Sequence, residues 1–209
     1  MAKDFTGIRI EYLTFNQIEL IADDIRITHW GNDIPVDVDL IAEKLGITLI
    51  PIPGLSRVAG QEAFLSGSLD EIIYEDDCNY FRTRFSVAHE LGHLILHSAQ
   101  IKSLRPNTYK EWKETIIEMP ASIWSRAETQ AHEFAARLLV PTEHLTEEIL
   151  KYKNQLLSIE STVNENSELL LSYLSPNLSK LFEVSDSSML IRLKNSGINI
   201  YEIIKTNPK

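Results

Sequence analysis

One run constrains this chain more than any other: FRTRFSVAHELGHLILHSAQ, residues 81–100. It places three of the six histidines, His89, His93 and His97, within nine positions. His89, Glu90 and His93 form an H-E-x-x-H arrangement. Phe85, Ala88, Leu91 and Leu94–Ile95 recur at helical spacing, which predicts a helix from Tyr80 or Phe85 to His97. A helix turns by roughly 100° per residue, so side chains four apart point nearly the same way. Both imidazoles can therefore meet one ion. Glu90 projects beside them, where it can reach a water without being a ligand itself. Zinc suits this donor set, and Mn²⁺ can enter similar shells. The bland alternative is a helix that merely carries packed or exposed histidines.

A catalytic zinc normally takes three protein ligands and leaves a fourth position open. The third must come from another element. The run ASIWSRAETQAHEFAARLLV (121–140), a predicted helix stopped by Pro141, offers Glu128, His132 and Glu133. Glu128 and His132 share a face, whereas Glu133 is turned away by roughly 100° from His132. One of the pair can bind the metal while the other orients it. An exposed polar face is the competing reading. His97 is read as a structural histidine or a neighbour of the ligands, and His29 and His144 as surface or loop residues. Cys78, eleven residues before His89, is read as a lone thiol rather than a ligand.

Elsewhere the chain alternates short helices with a little strand. Helical spacing marks 16–29 and 34–47, and "ITLIPIPGL" is a β-rich run broken by prolines. Residues 62–77 read as a hairpin around Ser-Gly-Ser. A short amphipathic piece is expected around 109–117 and an Asn- and Ser-rich break at 161–177. The expected fold class is α+β: a helix-dominated core with a small sheet before the key helix, then a helical C-terminal module. The expected division is 1–141 and 142–209. With 209 residues, 44% of them hydrophobic, the chain can bury a sizeable core. A net charge of −10 argues against general affinity for nucleic acid or anionic membranes. The single cysteine precludes an internal disulfide, and neither a signal-peptide run nor a membrane-spanning stretch is apparent. The expected location is the cytoplasm.

"RFSVAHELGHLILH" followed by "AETQAHEFAARLLVP" resembles the ImmA/IrrE family of zinc metallopeptidases, with its R-F-T-x-A-H-E-x-G-H-x-x-x-H and E-x-x-A-N-x-F-A-x-x-L-L-x-P runs. "IPVDVDLIAEKLGITLI", "EIIYEDD" and "LSKLFEVSDSSMLIRLKNSGI" are also similar to the family's pattern, so the likeness covers most of 16–200. The resemblance implies a zincin-like core with Zn²⁺ held by His89, His93 and Glu128, and Glu90 as the catalytic carboxylate. His132 stands where the family often has Asn or Asp.

The activity implied is peptide hydrolysis, with Glu90 taking a proton from the attacking water and passing it to the leaving amine. The implied substrate is a helix-turn-helix transcriptional repressor, cut to relieve repression under stress. Arg82 and Arg84 either assist at the substrate or form structural ion pairs. Residues 178–198 have a helix-turn-helix rhythm around Val184–Ser185 and read as a packing or repressor-docking segment. The competing function is a binding module that sequesters a repressor or antitoxin without cutting it. A pure binder, however, has no need of Glu90.

Overall fold

The computed structural model describes residues 5, 7–76, 79–104, 108–157 and 167–205. Cys78 lies outside them. The chain divides into two compact units, 1–32 with 37–138, and 33–36 with 139–209.

The first unit is the expected helix-dominated α+β core. Helix α1 (Phe15–His29) begins at a capping box, in which Thr14 accepts from Gln17 N and the Gln17 side chain accepts from Thr14 N. Helix α2 (Val38–Lys44) is shorter than the apolar pattern at 34–47 suggested, because Asp37 caps its N-terminus by accepting from Asp39 N and Leu40 N. Strand β1 (Thr48–Ile52), helix α3 (Leu55–Ala59), strand β2 (Ala63–Leu65) and strand β3 (Glu71–Glu75) follow. The sheet order is β1-β3-β2, with β1 parallel and β2 antiparallel to β3, so the hairpin read at 62–77 forms and β2 is an edge strand. Glu75 is buried, and its two carboxylate oxygens accept from Gly54 N (2.7 Å) and Ser56 N (2.6 Å) at the start of α3. This anchors the turn that leads into β2.

Helix α4 (Tyr80–Leu104) packs on β2 and β3. It runs past His97, its expected end. His93, His97 and Ile101 form a buried row four residues apart, and no breaker intervenes before Pro106. Helix α5 (Tyr109–Glu118) is the amphipathic piece, capped by Thr108. Helix α6 (Ala121–Leu139) buries Ala127, Ala131, Phe134, Ala135 and Leu138.

The extended segment before α1 is strapped to α4 and α6 by side chains that donate to its carbonyls. Gln100 Nε2 reaches Arg9 O at 2.9 Å, Arg126 Nη1 reaches Ile10 O at 2.9 Å, and Gln130 Nε2 reaches Glu11 O at 2.6 Å. Arg137 Nε also donates to Phe15 O, in the first turn of α1, at 3.1 Å.

The second unit holds helices α7 (Thr142–Lys151), α8 (Ser167–Phe182), α9 (Asp186–Lys194) and α10 (Ile200–Lys205). The break expected at 161–177 is in fact helical from Ser167, with Pro176 inside α8. Leu170, Leu171, Leu174, Leu178 and Phe182 are buried along it. Each such burial contributes about 1.5–3 kcal/mol. Together they outweigh the roughly 3 kcal/mol penalty of an interior proline. Glu183 turns the chain at φ 51°, and Ser185 caps α9 by accepting from Ser188 N at 3.1 Å, which places the helix-turn-helix rhythm's turn at 183–185. Arg192 is buried and donates to Val140 O (3.0 Å) and Thr142 Oγ1 (2.5 Å). His144 is not a surface or loop residue as expected: it is buried in α7 beside Leu145, on the helix's inward side. No helix among the described residues is long and apolar enough to cross a membrane.

Candidate metal centre

Helices α4 and α6 face each other across the site. Helical spacing puts His89 and His93 on one side of α4, and the Ala/Phe/Leu face of α6 turns Glu128 toward them. His93 Nε2 lies 3.1 Å from His89 Nε2 and 3.0 Å from Glu128 Oε1, and His89 Nε2 lies 3.4 Å from Glu128 Oε2. Two imidazole nitrogens and a carboxylate thus converge. A tetrahedral ion with bonds of about 2.0–2.1 Å sets its ligand atoms about 3.4 Å apart. The set fits that geometry, and two imidazoles with a carboxylate fit zinc's donor chemistry.

His132 also comes near. Ligand atoms of His89, Glu128 and His132 lie within 4.8 Å of one another. That set is looser than the His89–His93–Glu128 set, and His132 is exposed, with Nδ1 at 3.1 Å from the Glu128 carbonyl oxygen. Glu133, the third candidate on α6, is taken up by Arg137, whose Nη1 donates to it at 2.7 Å.

Electrostatics follow the geometry. Burial pushes the Glu128 carboxyl up, but hydrogen bonds from His89 and His93 outweigh it and hold the group well below the usual carboxylate range. Burial likewise pushes His89 down, yet the bond to Glu128 and the charges of Glu90 and Glu128 leave it above its ordinary value. Burial and the neighbouring His93 drive His97 down to about 4. Burial and His89 also lower His132.

Glu90 is buried beside the histidines, and its Oε2 accepts from Leu65 N of the edge strand at 2.8 Å. The sheet thereby fixes the carboxylate by a backbone donor. His89, Glu90, His93 and Glu128 open into one cavity of about 360 Å³. β2 forms part of its wall, and Phe64, Phe85, Ile101, Trp112 and Trp124 line it beside the polar groups. Trp124 lies nearly parallel to His93, with ring centroids 6.2 Å apart.

The two arginines ahead of the helix motif do not line this cavity. Arg82 is exposed and pairs with Glu62 at 2.7 Å, while Arg84 is buried over the Tyr80 ring. His97 joins His93 to Gln130. Sequence reasoning missed Gln130, the Leu65 N–H and the two tryptophans. Gln130 gave no signal, because two residues after Glu128 on a helix points to the far side from it.

No match to the chain was found among the curated proteins compared. The model of the IrrE N-terminal-like domain, a peptidase family, matches residues 42–194, a stretch that contains the strands, the H-E-x-x-H helix and Glu128. That stretch is well over half of the chain, and the protein therefore belongs to the IrrE N-terminal-like family, with its metallopeptidase-like function.

Proposed function

We propose that the protein is a zinc-dependent endopeptidase that cuts a helix-turn-helix transcriptional repressor at a specific peptide bond. The observation that carries the peptidase reading is the approach of His89 Nε2, His93 Nε2 and the Glu128 carboxylate to 3.0–3.4 Å of one another, with Glu90 beside them in the same cleft. A bare imidazole nitrogen 3.0 Å from a carboxylate oxygen repels it unless a proton or a cation lies between them. Zinc held there supplies Lewis-acid chemistry, acidifying a water and polarising the scissile carbonyl.

The chain's own residues do the rest. Glu90, held by Leu65 N–H through one oxygen, keeps the other for proton transfer: it takes a proton as water attacks and returns it to the leaving amine. The edge strand β2 offers an extended substrate backbone a place to align along the cleft. Trp112, Trp124 and Phe64 give the cleft an apolar wall against which a substrate side chain can pack. The repressor as substrate rests on the motif resemblance alone.

The experiment is a cleavage assay on candidate repressors with wild type and Glu90→Gln. Cleavage by wild type, lost in Glu90→Gln with zinc content unchanged, supports the peptidase. Equal repressor binding by both proteins, with no cleavage by either, would point instead to a sequestering module.

A further inference from the structure

His93 is held on its far side by a chain of hydrogen bonds whose direction can be deduced. The chain ends on the carbonyl oxygen of Glu11, which can only accept. Gln130 Nε2 lies 2.6 Å from that oxygen, so the amide must present its NH₂ to Glu11 and its Oε1 to His97. Oε1 also only accepts, so His97 Nε2, 2.9 Å away, carries the proton. A neutral imidazole protonated at Nε2 has its lone pair at Nδ1, and His97 Nδ1 sits 3.2 Å from His93 Nδ1. That contact is a hydrogen bond only if His93 donates from Nδ1. The Nε2 of His93 is then the nitrogen left to face His89 and Glu128.

We propose that His97 and Gln130 are positioning residues that impose the Nδ1–H form on His93 from the backbone carbonyl of Glu11, and so tie the N-terminal strap to the site.

His97 and Gln130 are 3% and 4% exposed, so water does not offer an easy replacement for either bond. The contrast with His89 shows what the relay adds. His89 Nδ1 is buried with no hydrogen-bond partner among the described residues, so of the two H-E-x-x-H histidines only His93 has its far nitrogen held. The strap carbonyl lies at Glu11, ahead of the residues matched by the family model, which begin at 42. The relay therefore brings a segment outside that match into the organisation of the centre.

The inference rests on the metal reading for its consequence but not for its test. Long-range ¹H–¹⁵N correlation spectra of the full chain with labelled histidine, free of metal, report which ring nitrogens carry protons. The expected pattern is a proton on His97 Nε2 and none on its Nδ1, together with a proton on His93 Nδ1. A proton on His97 Nδ1, or none on His93 Nδ1, overturns the relay. The second measurement is zinc affinity by chelator competition. His97→Leu removes the acceptor and should weaken zinc binding by about 10–100-fold, the usual cost of removing a group that orients a ligand. His97→Asn puts Oδ1 where Nδ1 was and should remain within a few-fold of wild type. Wild-type affinity in a folded His97→Leu variant overturns the proposal. If His97→Leu does not fold, the wild-type spectra decide the matter alone. Failure of wild type to bind zinc would sink the proposed function, while the tautomers would still decide the relay.

Discussion

Gly92 of α4 lies directly against the backbone of Ala131 in α6: a Cβ at position 92 would come within 3.1 Å of both the Cα and the carbonyl oxygen of Ala131. Phe134 Cδ1 would be 3.2 Å away, and both neighbours are fully buried. The glycine lets the helix carrying His93 and the helix carrying Glu128 approach closely enough for their donor atoms to meet. Gly92→Ala gains about 1 kcal/mol of helix propensity. It then forces two packed helices apart, an overpacking penalty of about 1–3 kcal/mol. Urea unfolding should show net destabilisation, and chelator competition should show weaker zinc binding. A more stable Gly92→Ala variant with unchanged zinc affinity would contradict this account of the helix contact.

Acid should loosen the metal early. The proton and zinc compete for His89, whose net pKa is raised above its ordinary value of 6.5 by Glu128 and Glu90 despite burial. Zinc affinity is therefore expected to fall as pH drops through neutrality, starting above the pH at which an ordinary histidine would protonate. In the metal-free protein the His89 contribution runs in the opposite sense. Because the folded pKa of His89 is raised, the stability it contributes is fully present below the unfolded value near 6.5 and is lost as pH rises through the folded value. Above pH 6.5, where the lowered His97 and His132 are neutral in both folded and unfolded chains, zinc affinity should rise with pH while metal-free stability falls. Parallel slopes would sink the assignment of His89 to a charge pair with Glu128.

Arg82 and Arg84 should separate cleanly in a stability experiment. Arg82 is exposed and its partner Glu62 lies at the rim of the cavity, so Arg82→Ala should change stability by no more than about 0.5 kcal/mol. Arg84 is buried against Tyr80, and Arg84→Ala should cost about 1–3 kcal/mol through lost packing and charge. Thermal unfolding of the two variants side by side checks the contrast. A larger loss in Arg82→Ala would reverse it.

The H-E-x-x-H helix, the hairpin before it and the Glu128 helix were legible because each is a local pattern: a 3.6-residue apolar rhythm, two short apolar runs about Ser-Gly-Ser, and a proline stop. The length of α4 was less legible. Its extension to Leu104 depends on burial of Ile101 and on Gln100 reaching Arg9 O, neither of which shows in a local window. Helix α8 was hidden by Pro176 and its polar neighbours, since tertiary burial of Leu174, Leu178 and Phe182 overrides local preference. His144 was misjudged for the same reason: a histidine without a motif gives no sign of being buried. Gln130 and the strap were invisible because the groups that it and its neighbours bind are backbone carbonyls, which every residue possesses.

The central claim is that His89, His93 and Glu128 hold one zinc ion. The most direct measurement is metal content by atomic emission for the purified full chain and its variants after zinc reconstitution. Equimolar zinc in wild type and in Glu90→Gln, with loss in both His93→Ala and Glu128→Ala, is the predicted result. Retention of zinc by Glu128→Ala would move the third ligand to His132, and a wild type that holds no transition metal would contradict the account at its root.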